Sequence, residues 1–219
     1  MPRLRGAFFL SRGRSIELPA AAPMSAGASR SLARRVWHTW AAIPAALGRH
    51  ATQLAEETPP CPGRVHELGR FHDESAWQAL NACLPEHLGA ALRRQFEWYG
   101  CRGAGFHTDA HYPSVLFGAW WVAGPPRDIV FADPRLRLAC ASCELVVFDP
   151  YQPHAVLDPG EERYLRQRYV AAAANVFLGF ELELTAAVRE QFGIGAPEPG
   201  ALSIGSGTAV NAETGRIVR

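Results

Sequence analysis

From Gly100 onward the sequence breaks into short apolar runs rich in aromatic and β-branched residues, separated by Gly, Pro and Asp: Ser114–Val122, Asp128–Phe131, Leu136–Ala139, Glu144–Phe148 and Arg163–Phe180. Runs of this kind are read as strands, and a series of them buries its inward faces as a sandwich or barrel. Upstream the pattern is helical. Asp73 suits the N-cap of a helix through Leu84, with Trp77, Leu80 and Leu84 on one face. Pro85 suits the first turn of a second helix to Tyr99, with Leu88, Leu92 and Phe96 spaced four apart. Val65–Phe71 reads as a short strand and Glu183–Phe192 as a closing helix. Helices followed by strands predict an α+β domain.

Residues 1–30, built from Pro, Ala, Ser, Gly and Arg without a sustained period, are expected to be a disordered arm. Residues 31–56 carry a rough helical spacing through Leu32, Val36, Trp40, Ile43 and Leu47, interrupted by Pro44. The Pro- and Gly-rich segment 57–63 reads as a linker. The expected organisation is an arm and helix over 1–59, partly disordered, a domain over 60–193, and a Gly-rich tail or strap over 194–219.

Composition narrows the classes. A 219-residue chain with 48% hydrophobic residues is long enough for one domain with a sizeable core. A net charge of +1 gives no reason to expect nucleic acid or an anionic membrane surface as partner. All 22 basic residues are arginine. Five cysteines at irregular spacing (Cys61, Cys83, Cys101, Cys140 and Cys143) do not form a secreted disulfide framework, and the CxxC pair of Cys140 and Cys143 lacks a second pair for zinc. No apolar run is long enough to span a bilayer, so no membrane association is expected and the cytoplasm is the default compartment. Arg3, Arg5, Arg12 and Arg14 around Ala7–Leu10 read either as a transit-like leader or as sequence preceding a start at Met24.

The informative stretch is Gly105–Pro113, with His107, Asp109 and His111 at alternate positions. On a strand, alternate side chains share a face, so His107 and Asp109 set an imidazole and a carboxylate on one wall. His154 follows 45 residues after Asp109, where the apolar run Glu144–Phe148 ends in a Pro-rich corner. Two histidines and one carboxylate occupy one face of an octahedral metal and leave adjacent positions open, a donor set that suits Fe(II). A structural zinc site would instead be closed by four protein ligands. His111 has the parity of a third strand ligand, but Pro113 ends the strand, and a pocket-lining role is the simpler expectation.

Phe106–Asp109, with Leu145–Phe148 and Pro153–His154, resembles the Fe(II)/2-oxoglutarate-dependent dioxygenase superfamily in its bacterial prolyl-hydroxylase-like branch. The resemblance spans about residues 100–180. It implies a double-stranded β-helix (jelly-roll) core carrying His107 and Asp109 on its second strand and His154 on its seventh. It further implies that His107, Asp109 and His154 hold catalytic Fe(II), that 2-oxoglutarate is co-substrate, and that O2 oxidises a C–H bond of a small-molecule or peptidyl substrate with release of succinate and CO2. Asp109 favours hydroxylation, desaturation or ring formation over halogenation, since halogenases of the superfamily replace that carboxylate. The family also places a basic residue on the eighth strand to hold the far carboxylate of 2-oxoglutarate. Arg163, Arg166 and Arg168 compete for that role, because a guanidinium fork matches a carboxylate in bidentate fashion. Arg168 opens the most apolar part of the run and is ranked first, Arg163 second; the alternative is that all three are solvated at an edge.

The rival expectation is a cupin-like jelly-roll protein that binds metal without 2-oxoglutarate turnover, and the position of the arginine separates the two. Of Trp120 and Trp121, only one can face the interior. Asn175 is a candidate inward amide, and Tyr112 and Tyr151 flank the proposed ligands.

Overall fold

The computed structural model describes residues 13–218 apart from 21, 28, 133 and 134. The arginine-rich segment around Ala7–Leu10 lies outside these residues. In chain order the N-terminal part forms β1 (Arg14–Glu17), β2 (Met24–Ala26), β3 (Arg30–Ser31), β4 (Arg35–Trp40), α1 (Ala45–Glu57), β5 (Val65–Phe71), α2 (Glu74–Cys83) and α3 (Glu86–Gly89). The strands β6 (Phe96–Cys101), β7 (Ala104–His107), β8 (Val115–Ala123), β9 (Arg127–Ala132), β10 (Arg135–Cys140), β11 (Glu144–Phe148), β12 (His154–Leu157) and β13 (Asn175–Glu183) follow. After them come α4 (Ala186–Phe192), β14 (Leu202–Ile204), β15 (Ala209–Val210) and β16 (Ile217–Val218).

Two antiparallel sheets face each other. The larger runs β1-β4-β11-β8-β13-β6-β5 and the smaller β10-β9-β12-β7. Strand parity builds the layers. On β8, Phe117, Ala119 and Trp121 point between the sheets and meet Ile129 and Phe131 of β9 and Val156 of β12. Leu116, Trp120 and Val122 point the other way, onto a core with Leu47 and Leu54 of α1 and Leu80 of α2. The same alternation divides β11 and β13. Gly118 sits opposite Phe180 in the β8–β13 register, and any side chain there would meet the phenyl ring.

Several expectations are borne out locally. Asp73 caps α2 by accepting the Ala76 amide at 2.8 Å. Thr185 caps α4, which ends on the left-handed Gly193. Other elements differ. The helix expected from Pro85 to Tyr99 stops at Gly89, and Phe96–Cys101 is a strand hydrogen-bonded on both sides, to β5 and β13. Its six buried residues match a strand covered on both faces, and the four-residue spacing of Leu88, Leu92 and Phe96 crosses an element boundary. Val36 and Trp37 of β4 likewise face opposite cores, so the helix expected over 31–56 begins only after Pro44. Arg163–Phe180 is a strand only from Asn175. The charged stretch before it forms a loop with a 3-10 turn, Arg166–Tyr169, whose Tyr164 and Tyr169 rings stack at 5.1 Å.

The segment expected to be a disordered arm is ordered where the structure describes it. The reason is a buried ion pair. Arg30 reaches Asp149 through Nη1–Oδ2 at 2.5 Å and Nη2–Oδ1 at 3.0 Å, with both side chains almost wholly buried. The Asp149 carboxylate also accepts the amides of Ala33 at 2.9 Å and Tyr151 at 3.1 Å. The C-terminal segment is a strap: β14 pairs in parallel with β2, and Ala212 C=O accepts the Phe106 amide at 2.8 Å. Among the described residues, no helix is long and apolar enough to cross a membrane.

Removing one partner of a buried ion pair leaves an uncompensated charge. Arg30→Met is expected to lower unfolding free energy by about 3 kcal/mol, measured by urea denaturation, while the exposed-pair variant Arg34→Met shifts it by well under about 1 kcal/mol.

Candidate metal centre

The register of the small sheet brings the two histidines together. His154, the first residue of β12, lies directly opposite His107, the last of β7, and the ring centroids are 4.4 Å apart. Asp109 is not on the strand, as parity alone predicts. It sits in the turn after β7, where its amide donates to Pro150 C=O at 2.8 Å. That bond ties the loop carrying Asp109 to the corner carrying His154, and the corner is in turn held by Asp149 and by Gln152 Nε2 donating to Ala33 C=O at 2.8 Å.

Backbone carbonyls settle which imidazole nitrogens are free. His107 Nδ1 donates to Gly105 C=O and His154 Nδ1 to Gln152 C=O, both at 2.8 Å. With the proton held on Nδ1, each Nε2 lone pair is available. Both nitrogens face the Asp109 carboxylate, His107 Nε2 at 3.8 Å from Oδ1 and His154 Nε2 at 3.5 Å from Oδ2. Among the described residues this is the one group of three such side chains whose ligand atoms converge, all within 4.8 Å of one another. Donors about 2.1 Å from an octahedral ion are about 3 Å apart, so small rotations complete the set. Burial first, and then the neighbouring His107, push the His154 imidazole down to about 4 against the opposing pull of Asp109. The ring is therefore neutral near pH 7, the form that binds metal. The donor chemistry fits a divalent ion with open positions.

These groups form one wall of a pocket of about 200 Å³ between the sheets. Its depth is aromatic and aliphatic, with Tyr99, Phe117, Trp121, Ile129, Val156 and Phe177. Its mouth carries Glu67, His111 and Tyr112. A larger groove, about 460 Å³, runs along Leu18, Pro23, Leu32 and Glu198 and contains no converging ligand set among the described residues. His111 is exposed, packs on Tyr112 at 4.1 Å between ring centroids, and stands outside the ligand group. Trp121 is the inward member of its pair and Trp120 packs under α1. Tyr151 is buried beneath Arg30 instead of lining the pocket. Asn175 is fully buried and donates to Pro125 C=O.

The arginines expected to hold 2-oxoglutarate lie elsewhere. Arg163 is exposed and pairs with Glu213 at 3.0 Å, and Arg168 is exposed and pairs with Glu161. Arg166 borders a separate groove beside Cys61 and Arg64. All three belong to the loop before β13, whose Tyr164 and Tyr169 are buried while the three arginines between and beside them are exposed. Of the inward-facing positions on β13, the one that lines the pocket is Phe177. Arg127 escapes the sequence reading, because it precedes the expected strand by one residue. It shares the inward parity of Ile129 and Phe131 and is buried, but its guanidinium donates to Asp158 and to Ala173 C=O. Among the described residues no arginine lines the pocket, and the chain has no lysine. The pocket therefore fits the metal and does not fit a dicarboxylate needing a counter-charge.

No protein-family model matches the sequence, and no curated protein does. The fold is similar to that of a Pseudomonas putida prolyl-4-hydroxylase (14% identity, TM-score 0.43, covering 69% of this chain and 93% of that one). It is similar also to SnoK, a non-haem α-ketoglutarate-dependent carbocyclase from nogalamycin biosynthesis (10% identity, TM-score 0.43, 75% and 89%). A third is a 2OG-Fe(II) oxygenase family oxidoreductase from Burkholderia pseudomallei (14% identity, TM-score 0.34, 82% and 76%). Likeness at this level transfers no residue role, so the chemistry is built from the side chains.

His107→Ala and Asp109→Ala are expected to abolish stoichiometric Fe(II) and Co(II) binding while the melting temperature of the metal-free chain changes little, since both residues are half-exposed at the pocket wall. His111→Ala retains one metal per chain. Equilibrium dialysis with metal analysis, alongside thermal melting, checks all three.

Proposed function

We propose that this protein is a mononuclear non-haem Fe(II)-dependent oxygenase acting on a small-molecule or peptidyl substrate, with His107, Asp109 and His154 as metal ligands. We read its two facing sheets as a double-stranded β-helix. The observation that carries the proposal is the open donor set: two Nε2 lone pairs and one carboxylate converge on the wall of a largely apolar pocket. Fe(II) held by these three side chains would supply open coordination positions and the redox chemistry for activating O2.

The protein's own part follows from the residues around that set. The Gly105 and Gln152 carbonyls hold both imidazoles in the metal-binding tautomer and orientation. The amide bond from Asp109 to Pro150 fixes the carboxylate relative to His154. The aromatic depth excludes water and restrains a substrate beside the metal.

The finer reading, hydroxylation driven by 2-oxoglutarate, draws support from the sequence resemblance and from one structural observation, the buried, inward parity of Arg127. Its guanidinium is committed to Asp158, so that reading requires the ion pair to open. A cupin-like metal-binding protein without oxygen chemistry is the alternative from another class.

Nitric oxide, as an O2 surrogate, tests the proposal without a known substrate. Fe(II)-loaded protein under argon is expected to give the half-integer electron paramagnetic resonance signal of an iron–nitrosyl at one spin per chain, lost in Asp109→Ala. Iron bound without a nitrosyl signal would show a closed site and refute an oxygenase.

A further inference from the structure

We infer that the depth of this pocket receives a flat, uncharged aromatic ring whose oxygen substituents face the metal, and that it does not receive 2-oxoglutarate. The inference rests on the proposed metal centre and specifies what shares it.

The rings form one continuous wall on the inner face of the large sheet, with Tyr99, Phe177 and Trp121 as register partners on neighbouring strands. Phe177 lies between two partners, stacked on Tyr99 at 5.4 Å and 16° and on Trp121 at 5.2 Å and 18°. Phe117 closes a side edge-on to Tyr99 at 5.7 Å and to Phe148 at 5.8 Å. Phe148 in turn stands edge-on to the ligand His154 at 4.7 Å. A wall of aromatic rings facing the aliphatic Ile129 and Val156 leaves a flat apolar space, and an aromatic guest packs against such rings better than a flexible charged chain. The size agrees. An apolar cavity of about 150 Å³ holds benzene, and the pocket's 200 Å³ allows a ring with small substituents.

Charge excludes the alternative. A carboxylate moved from water into this depth needs a cation or several hydrogen-bond donors. The hydroxyl protons are already spent. Tyr99 donates to Glu97 Oε2 at 2.9 Å, so across the 3.2 Å contact between Tyr99 and Tyr112 it is Tyr112 that donates. Both ligand imidazoles spend Nδ1–H on backbone carbonyls. The one buried donor of the lining without a partner is Trp121 Nε1, which is neutral. At the mouth, Glu67 adds negative charge. A neutral ring meets none of these penalties, and its oxygen atoms reach the one electropositive feature the pocket would hold, the metal.

The test uses the full chain loaded with Co(II) under argon, with catechol and 2-oxoglutarate as probes. The readouts are the visible d–d bands and tryptophan fluorescence, to which Trp121 contributes. Catechol is expected to shift the bands and quench fluorescence, with 2-oxoglutarate weaker by at least about a hundredfold. Phe177→Arg, which sets a cation into the pocket, is expected to reverse that preference. Phe177→Leu preserves an apolar core should the arginine variant fail to fold, and is expected to weaken catechol by about tenfold. A band shift by 2-oxoglutarate at or below the catechol concentration overturns the inference and leaves the metal centre standing. Metal binding with no response to catechol also overturns it. Failure to bind Co(II), or equal binding by Asp109→Ala, overturns the metal centre and the inference together.

Discussion

The Arg30–Asp149 ion pair is the constraint on which the site depends. A carboxylate with no exposed surface must be fully satisfied, and Asp149 takes two bonds from the guanidinium and two from backbone amides. Those four bonds fix the corner between β11 and β12. The corner sets the first residue of β12, and that residue is His154. Its Pro150 carbonyl also receives the amide of Asp109. Two of the three candidate ligands are therefore positioned through one turn, which an N-terminal segment locks from outside the sheet pair. The third, His107, is positioned by register with His154. Such a pair adds little net stability compared with an apolar replacement of both partners, so its value here is geometric.

The site and its surroundings divide the work cleanly. The small sheet and its corner present polar atoms in fixed directions, while the large sheet contributes aromatic faces. Because the inward residues of β8 and β13 include Phe117, Trp121 and Phe177, the wall facing the candidate ligands carries no charge among the described residues. The same three-layer parity that stabilises the domain thus decides what sort of molecule can approach the metal.

Much of this was legible in the chain. The spacing of His107, Asp109 and His154 and the Pro-rich corner point to the group of side chains that converges, and the short aromatic runs identify most strands. Parity was only half the reason: His107 obeys it, whereas Asp109 owes its place to a long-range backbone bond that no local pattern encodes. The arginines were misplaced because the sequence does not mark where the loop after β12 ends. Arg163–Phe180 contains both a charged loop and an apolar strand, and only pairing with β6 and β8 puts the boundary at Asn175. The N-terminal strands were hidden for a related reason. Short segments such as Arg14–Glu17 and Arg30–Ser31 have little propensity of their own; the first is ordered by pairing with β4 and the second by the ion pair of Arg30 with the distant Asp149.

The parallel pairing of β2 with β14 joins residues 24–26 to residues 202–204. Contacts this distant along the chain close late, since the entropy of the intervening loop must be spent first. During synthesis the strap is made after both sheets. The backbone bond it gives to Phe106, next to His107, is available only then. The strap therefore acts as a clasp: Ala212, far along the chain, supplies a hydrogen-bond partner to the strand that carries His107, so the order of that strand depends on the docking of the final segment.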